Sequence, residues 1–283
     1  MTETGLTTLL DGGKYYEAPR WHDGRLWFVD CLARTLLSID LTGECRTHAT
    51  FEDDTPCGTG VLPDGRLVIL TMFRKRLFVF ERSKLVPYAD LSGAATGVID
   101  DMIVDGLGRA YVGDLGFKLP PPSRRGADGR IILVMPDGTA RIVAEGLRFP
   151  NGIAISADHR RLVVAEMDGE CVADYEIAPD GDLKFLRRLP CGREPDGICL
   201  DSAGAVWVAA YAEDAFIRID DKGMEVRRVR VPGRRAIACA LGGDERRTLF
   251  CLSAATSHED LGRGKSSARI DAIAAEVPGA GYP

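Results

Sequence analysis

Apolar and polar residues alternate along this chain in short runs, and the runs come in pairs. Six segments share one pattern: an apolar strand, a turn built on Asp or Gly, and a second apolar strand. They read RWHDGRLWFVD, GVLPDGRLVIL, IVDGLGRAYVG, AISADHRRLVVA, CLDSAGAVWVA and CALGGDERRTLFCL. Alternation with period two around turn residues predicts β-hairpins, and no stretch shows a sustained helical period.

The six hairpins are spaced like the units of a repeat protein. Their turn aspartates follow at intervals of 41, 41, 53, 43 and 43 residues, and they are Asp23, Asp64, Asp105, Asp158, Asp201 and Asp244. Alternating segments between the hairpins supply two more strands per unit, and a four-stranded unit of about 40–50 residues is typical of a propeller blade. The sequence therefore predicts an all-β fold, a six-bladed β-propeller that occupies residues 1–283 as a single domain. We expect the strand near LTTLL to close the ring against the last blade.

The longest interval contains the segment GFKLPPPSRRGADGR at 116–130. Three consecutive prolines cannot continue a sheet, because proline lacks the N–H that a strand donates. We expect an insertion over one face of the propeller, either a lid or a solvated loop or oligomer contact.

A small residue followed by Gly recurs at the start of the apolar runs, as Cys-Gly, Asn-Gly and Asp-Gly. Such pairs are ordinarily hairpin turns, since both residues tolerate a positive φ. Counting back four residues from the last apolar residue of each first strand gives one equivalent position per unit: Glu17, Cys57, Asp100, Asn151, Asp196 and Ile237. We call this position the channel register. The shared register favours a role inside the ring over a set of turns that face solvent, which remain the alternative.

The first strand of a propeller blade lines the central channel, so equivalent positions face one another. We therefore expect Glu17, Asp100, Asn151 and Asp196 to converge. Three carboxylates in a narrow channel repel, which raises at least one pKa or requires a cation. The sequence predicts a divalent metal, Ca²⁺ first because it prefers carboxylate and carbonyl oxygens, with Zn²⁺, Mg²⁺ and Mn²⁺ left open.

Four ordered motifs resemble one known family. YEAPRW (16–21), IDDMIVDGLGRAYVG (99–113), RFPNGIAISAD (148–158) and EPDGICLDSAGAVWVA (194–209) are similar to the gluconolactonase, regucalcin (senescence marker protein) and luciferin-regenerating enzyme family, and the resemblance spans essentially the whole chain. It implies a six-bladed propeller that hydrolyses lactones with one catalytic divalent metal in its channel. It also implies Glu17, Asn151 and Asp196 as metal ligands, with Asp196 as the general base.

Two departures from the family pattern bear on the substrate. Asp100 stands where sugar-lactone members have an Asn, and it is a second catalytic candidate as ligand, water-positioning group or base. An Arg that binds substrate in some members has no counterpart in this chain, and Val98 occupies the nearest position. A smaller or more apolar lactone therefore becomes the expected substrate. The candidate substrate-binding residues are Asp100, Cys57, Thr59, Phe73, Phe117 and Tyr211. Tyr16 and Met72 are further pocket candidates, with core or rim packing as the equal alternative for the apolar and aromatic ones.

Two other functions stay open at this point. One is a phosphotriesterase that resembles diisopropyl fluorophosphatase, a related propeller with a channel metal. The other is a non-catalytic metal-binding propeller, because a fold alone does not determine a function. Cys57 occupies the channel register but lacks a visible His partner, which favours a small channel-lining residue over a nucleophile.

Charge and composition narrow the partners. The formal net charge is −6 with a pI near 5.4, and the basic residues are scattered, which argues against binding to nucleic acid or to an anionic membrane. No run of 18 apolar residues and no secretory signal is present, so we expect a cytoplasmic protein whose eight cysteines are reduced. The expected partner is a small-molecule lactone, and the expected assembly is a monomer or a small homo-oligomer.

Overall fold

Six antiparallel sheets of four strands each stand around a central axis in the computed structural model, which describes residues 5–119 and 126–281. The first strand of every sheet contacts the first strands of both neighbouring sheets, and the sixth returns to the first. This arrangement confirms the prediction of a six-bladed β-propeller.

The first three blades follow the chain in order, with the innermost strand first. Blade 1 contains β2 (Tyr16–His22), β3 (Arg25–Asp30), β4 (Thr35–Ile39) and β5 (Cys45–Thr50). Blade 2 contains β6 (Pro56–Val61), β7 (Leu67–Thr71), β8 (Arg76–Glu81) and β9 (Lys84–Asp90). Blade 3 contains β10 (Ile99–Val104), β11 (Ala110–Asp114), β12 (Gly129–Val134) and β13 (Ala140–Leu147).

The remaining blades keep the same order. Blade 4 contains β14 (Pro150–Ile155), β15 (Arg161–Glu166), β16 (Cys171–Ile177) and β17 (Leu183–Pro190). Blade 5 contains β18 (Pro195–Leu200), β19 (Val206–Ala210), β20 (Ala215–Ile219) and β21 (Glu225–Arg230). Blade 6 contains β22 (Arg235–Gly242), β23 (Thr248–Ala255) and β24 (Ser267–Ala274), and its outermost strand comes from the other end of the chain.

That outermost strand is β1 (Thr7–Gly13), which pairs antiparallel with β24. The Thr8 hydroxyl donates a 2.6 Å hydrogen bond to Asp271 on the facing strand. The predicted closure of the ring by the N-terminal strand is therefore confirmed, and it joins the two ends of the chain in one sheet.

Burial explains why the inner strands read as apolar runs. All six residues of β6 and of β14 are buried, whereas most of β17 is exposed at the rim. The turn aspartates close the hairpins by accepting backbone N–H groups, as Asp105 does from Leu107 and Arg109 at 2.9 and 3.0 Å. Asp carboxylates favour such turns because they replace a missing backbone acceptor.

Helical segments are few in the described part of the chain. One short α-helix, α1 (His258–Gly262), lies between β23 and β24, and 3₁₀ turns at Met167–Gly169 and Tyr211–Glu213 follow β15 and β19. None of the described helices is long and apolar enough to cross a membrane. The segment predicted as an insertion, 116–130, begins after β11 and ends inside β12; residues 120–125 lie outside the described residues, so its role as a lid stays a prediction.

Candidate metal centre

The channel register falls near the start of every innermost strand. Its residue is the second residue of the strand in blades 1 to 5 and the third in blade 6. Each of these strands also carries a register shift there, for example between Glu17 and Arg20 in β2 and between Pro195 and Ile198 in β18. Because the strands stand side by side around the axis, the structure brings Glu17, Asp100, Asn151 and Asp196 to one end of the channel.

The Gly that follows the register residue is required by packing. Gly152 and Gly197 lie inside β14 and β18 rather than in turns. A Cβ on Gly152 would lie 2.6 Å from the carbonyl oxygen of Asp196, and one on Gly197 would lie 2.5 Å from the Cβ of Ala238. Asn-Gly and Asp-Gly therefore recur here because neighbouring innermost strands approach too closely for a side chain.

Burial and neighbouring carboxylates oppose the ionisation of the three acids at this end of the channel. Burial and the charges of Asp196 and Asp100 raise the pKa of Glu17 well above its usual value. Burial and the charge of Asp100 do the same to the pKa of Asp196, with the Asn151 side chain acting in the opposite direction. Burial, followed by the neighbouring Asp101, raises the pKa of Asp100 to about 7. The repulsion is relieved when the carboxylates are protonated or when a cation binds between them.

The polar atoms of the register residues have few or long hydrogen bonds within the described part of the chain. Asp196 Oδ1 is buried and has no hydrogen-bond partner among the described residues. Glu17 Oε2 accepts a long hydrogen bond of 3.4 Å from Ala18 N, and the Asn151 Nδ2 group lies 3.8 Å from Met167 Sδ. An unpartnered buried carboxylate oxygen is costly, and a metal ion would satisfy it.

These donors fit a hard divalent cation. The described residues contain no group of three or more His, Cys, Asp or Glu side chains in a metal-binding arrangement. The expected set consists of two carboxylates, Glu17 and Asp196, and the amide of Asn151, so it reaches three donors only when the amide oxygen is counted. Ca²⁺ accepts amide and carboxylate oxygens alike and completes its shell with water.

A buried ion pair that the sequence pattern does not predict lies next to the register acids. Arg20 and Asp101 are both buried, and Arg20 Nη2 lies 3.0 Å from Asp101 Oδ1. Asp101 Oδ2 also accepts a 3.1 Å hydrogen bond from Ile153 N. The pair joins blade 1 to blade 3. Within residues 5–119 and 126–281, the register acids Glu17, Asp100 and Asp196 form no such ion pair. Simple strand alternation would turn Asp101 away from Asp100, and the irregular register between Ile99 and Met102 breaks that alternation.

Beyond this ion pair the channel opens into a cavity of about 400 Å³ at the opposite face. The later residues of the innermost strands line it, among them Ile103, Ile155, Leu200 and Leu241. Arg20 lies in its lining as well, so the guanidinium group separates this cavity from the acids.

Two predicted substrate-binding residues lie within the strand packing. Cys57 is buried, and its Sγ lies 3.2 Å from the carbonyl oxygen of Asp100. Burial and the charge of Asp100 raise the pKa of its thiol well above the usual value, which disfavours a nucleophilic thiolate. Thr59 is fully buried and donates a 2.6 Å hydrogen bond to the carbonyl oxygen of Ala18. The Thr59 hydroxyl is thus committed to the adjacent blade.

The predicted aromatic residues differ in their surroundings. Phe73 is 52% exposed in the turn after β7, and Phe117 packs edge-to-face on Phe149 with ring centroids 5.4 Å apart. Tyr211 is buried at the end of β19. Its pKa is raised to about 12 by burial, followed by the charge of Asp196, which identifies it as a neighbour of the acids.

A second tyrosine near the acids is Tyr15, and not the predicted pocket candidate Tyr16. Tyr16 packs edge-to-face on Phe28 at 5.0 Å in the core between strands. The pKa of Tyr15 is raised well above its usual value by burial, followed by the charges of Asp196 and Glu17. Its position two residues before Glu17, on the same side of an extended chain, is the signal that could have identified it.

The structure also supplies a cation at the level of Val98. Arg235 stands two residues before the register position Ile237 of blade 6, as Val98 stands two residues before Asp100 in blade 3. Arg235 Nη1 lies 3.1 Å from Asp214 Oδ1, and its Cζ lies 5.5 Å from the ring centroid of Tyr211. The positive charge missing from blade 3 is thus present in blade 6.

Comparison with known proteins identifies the family of this chain. The family model described as SMP-30/Gluconolactonase/LRE-like region matches residues 16–255, which include all six channel-register positions. The chain belongs to this family. Among curated members of similar sequence is the pentonolactonase XacC of Haloferax volcanii, which is 28% identical over 246 residues, 84% of this chain and 81% of that protein.

Solved structures related to the SMP-30/gluconolactonase family share the fold. A luciferin-regenerating enzyme superposes with a TM-score of 0.80 at 18% identity, over 97% of this chain and 96% of that chain. A calcium-binding protein, regucalcin from Agrobacterium tumefaciens, superposes with a TM-score of 0.78 at 21% identity, over 98% and 95% of the two chains. At these identities the similarity shows the propeller architecture alone.

Proposed function

We propose that this protein is a metal-dependent hydrolase that opens lactone rings. The observation that carries the proposal is the convergence of Glu17, Asp100, Asn151 and Asp196 around a buried, unpartnered Asp196 Oδ1. Membership of the SMP-30/gluconolactonase family and its similarity to a pentonolactonase support lactones as the substrate class. The protein named regucalcin and described as calcium-binding supports Ca²⁺ as the first choice of metal.

Glu17, Asn151 and Asp196 would hold the cation, with Asp100 in direct contact with it or one water molecule away. When bound, a divalent cation supplies a Lewis acid that polarises the lactone carbonyl and stabilises negative charge on its oxygen. No covalent enzyme intermediate is needed, which agrees with the protonated, buried state of Cys57.

Asp196 carries the proton transfers in this proposal. Its carboxylate accepts a proton from the water that attacks the carbonyl carbon, and the C–O bond of the ring then breaks. The same proton passes to the ring oxygen as it leaves, so the product is a hydroxy acid. Asp100, whose pKa lies near 7, can position the attacking water or share the role of base.

We further propose that compact aliphatic or aryl lactones are preferred over sugar lactones. Val98 supplies no charge, and the guanidinium of Arg235 in blade 6 is paired with Asp214. The hydroxyl of Thr59 donates to the carbonyl oxygen of Ala18. An apolar pocket gains about 0.8 kcal/mol per buried methylene, whereas each unmatched buried hydroxyl costs about 1–3 kcal/mol. A polyhydroxylated lactone would therefore bind more weakly.

A substrate panel with controlled metal content tests both parts. Chelator-treated protein is assayed with gluconolactone, a simple γ-lactone, dihydrocoumarin and an organophosphate, before and after Ca²⁺, Mg²⁺, Mn²⁺ or Zn²⁺ is restored. We expect lactone hydrolysis that depends on metal, with dihydrocoumarin or the γ-lactone ahead of gluconolactone in kcat/KM. The variant Asp196→Asn should be inactive. Its matched control, Asp137→Asn in the exposed β12–β13 turn, should keep wild-type activity.

Three results would contradict the proposal. Gluconolactone ahead by about tenfold or more would refute the apolar preference and indicate that Asp100 pairs with sugar hydroxyls. Organophosphate hydrolysis without lactone hydrolysis would make the protein a phosphotriesterase. Metal binding without either activity would make it a binding propeller.

A further inference from the structure

A set of five equivalent residues lies next to the channel register in blades 1 to 5. In blades 1 to 5 the residue directly after the second strand donates its backbone N–H to a carbonyl two residues before the channel register, at 2.8–3.0 Å. The five residues are Cys31, Met72, Leu115, Met167 and Tyr211. Among these five, Tyr211 alone carries a hydroxyl, so blade 5 places one polar group in an otherwise apolar or thiol-bearing ring.

Tyr211 is held in place by side chains from two other segments. The ring of His258, at the start of α1, stacks on the Tyr211 ring with centroids 4.7 Å apart and planes 24° from parallel. His258 Nε2 lies 3.1 Å from Glu194 Oε2, which ties α1 to the entry of β18. The guanidinium of Arg235 contacts the same tyrosine ring. These contacts restrict the orientation of the phenol more than packing in a single blade would.

The hydroxyl of Tyr211 has no partner of its own. It is buried and makes no hydrogen bond to any described residue, and the same is true of Asp196 Oδ1. Tyr211 also packs in one cluster with Met167 and with Ile237 of the channel register. A buried hydroxyl without a partner costs about 1–3 kcal/mol, so the site favours a ligand that accepts its hydrogen bond.

We propose that Tyr211 is the hydrogen-bond donor that orients the substrate, and that His258 positions it. The phenol O–H would donate to an oxygen of the lactone, and the apolar part of the substrate would face Met72 and Leu115, which hold the equivalent positions in blades 2 and 3. The preferred substrate is then an amphiphilic lactone with one acceptor oxygen facing blade 5 and an apolar substituent facing blades 2 and 3. This inference rests on the proposed lactonase function.

The test compares Tyr211→Phe with Tyr88→Phe in metal-loaded protein. Tyr88 donates to the carbonyl oxygen of Pro136 on the outer surface, 3.3 Å away, so its hydroxyl is a matched control. We expect kcat/KM for dihydrocoumarin to fall about tenfold in Tyr211→Phe and to stay unchanged in Tyr88→Phe. Calorimetric binding of δ-valerolactam, used as an unreactive analogue, should weaken by a similar factor, while Ca²⁺ affinity stays at the wild-type value.

The positioning role of His258 has its own signature. His258→Ala should lower kcat/KM in the wild-type background and have no further effect when Tyr211→Phe is already present. His258→Phe, which keeps an aromatic ring but loses the contact with Glu194, should recover most of the activity. Equal losses from His258→Ala in both backgrounds would overturn this part of the proposal.

The possible failures are distinguishable. If wild-type protein opens lactones and Tyr211→Phe matches it in turnover and lactam binding, Tyr211 has no substrate role and the lactonase proposal stands. If Tyr211→Phe weakens Ca²⁺ binding to the same extent as lactam binding, the hydroxyl serves the metal instead, which overturns the inference. If wild-type protein neither opens a lactone nor binds the lactam, both proposals fall.

Discussion

Burial and neighbouring carboxylates raise the pKa values of Glu17, Asp100 and Asp196. Between the ordinary carboxyl pKa near 4 and the folded-state value, the folded protein then holds more protons than the unfolded chain. The contribution of Asp100 to stability is fully present at low pH and is lost as pH rises through about 7. We therefore expect metal-free protein to melt at a higher temperature at pH 5.5 than at pH 8, by on the order of 5 °C.

Thermal unfolding of chelator-treated protein across this range measures the effect. Asp100→Asn removes one of the acids and should flatten the slope, and saturating Ca²⁺ should reverse it because the bound metal requires deprotonated ligands. Asp137→Asn, at an exposed turn, should leave the slope as in wild type. A melting temperature that rises with pH in metal-free protein would mean that the acids do not interact as the structure indicates.

The innermost strands set the geometry through their close approach to one another. Gly197→Ala would place a Cβ 2.5 Å from Ala238 Cβ, so β18 and β22 must separate. We expect a loss of about 1–3 kcal/mol in the free energy of unfolding, together with weaker metal binding, because Asp196 is the preceding residue. Gly93→Ala is the matched control: a Cβ there meets nothing within 4 Å, and the change should be neutral or stabilising. Equal stability of the two variants in denaturant titrations would refute the packing argument.

The sequence predicted those elements whose signal lies in a few neighbouring residues. Alternation and turn aspartates predicted the hairpins, and the shared register predicted which side chains meet at one end of the channel. The strand irregularities were not predictable, because an extra residue such as the one between Ile99 and Met102 leaves no mark in the apolar pattern. For that reason the Arg20–Asp101 pair was not predicted. The hydrogen bond from Thr59, a substrate-binding candidate, to Ala18 joins two blades, and the strand pattern alone does not specify such a contact.

At the scale of the whole molecule, a ring of six equivalent strands concentrates residues that are far apart in sequence. Glu17, Asn151 and Asp196 come from blades 1, 4 and 5. The pairing of β1 with β24 and the contact of β22 with β2 close the ring that brings them together. Their roles as metal ligands stay a prediction, because the sequence pattern indicates only their shared position and the ligand roles come from the resemblance to the family. The central claim is that the ring builds one divalent-cation site from these three side chains.

Equilibrium binding of Ca²⁺ to chelator-treated protein, measured by calorimetry, tests this claim most directly. Wild-type protein should bind one equivalent, and the affinity should fall as pH drops below about 7, where Asp100 takes up a proton. Glu17→Gln and Asp196→Asn should each weaken binding by about 100-fold or more, since loss of an outer-shell partner alone costs about 10–100-fold. Asp137→Asn should bind as wild type does. Undiminished Ca²⁺ binding in Glu17→Gln or Asp196→Asn would show that these side chains do not form the cation site.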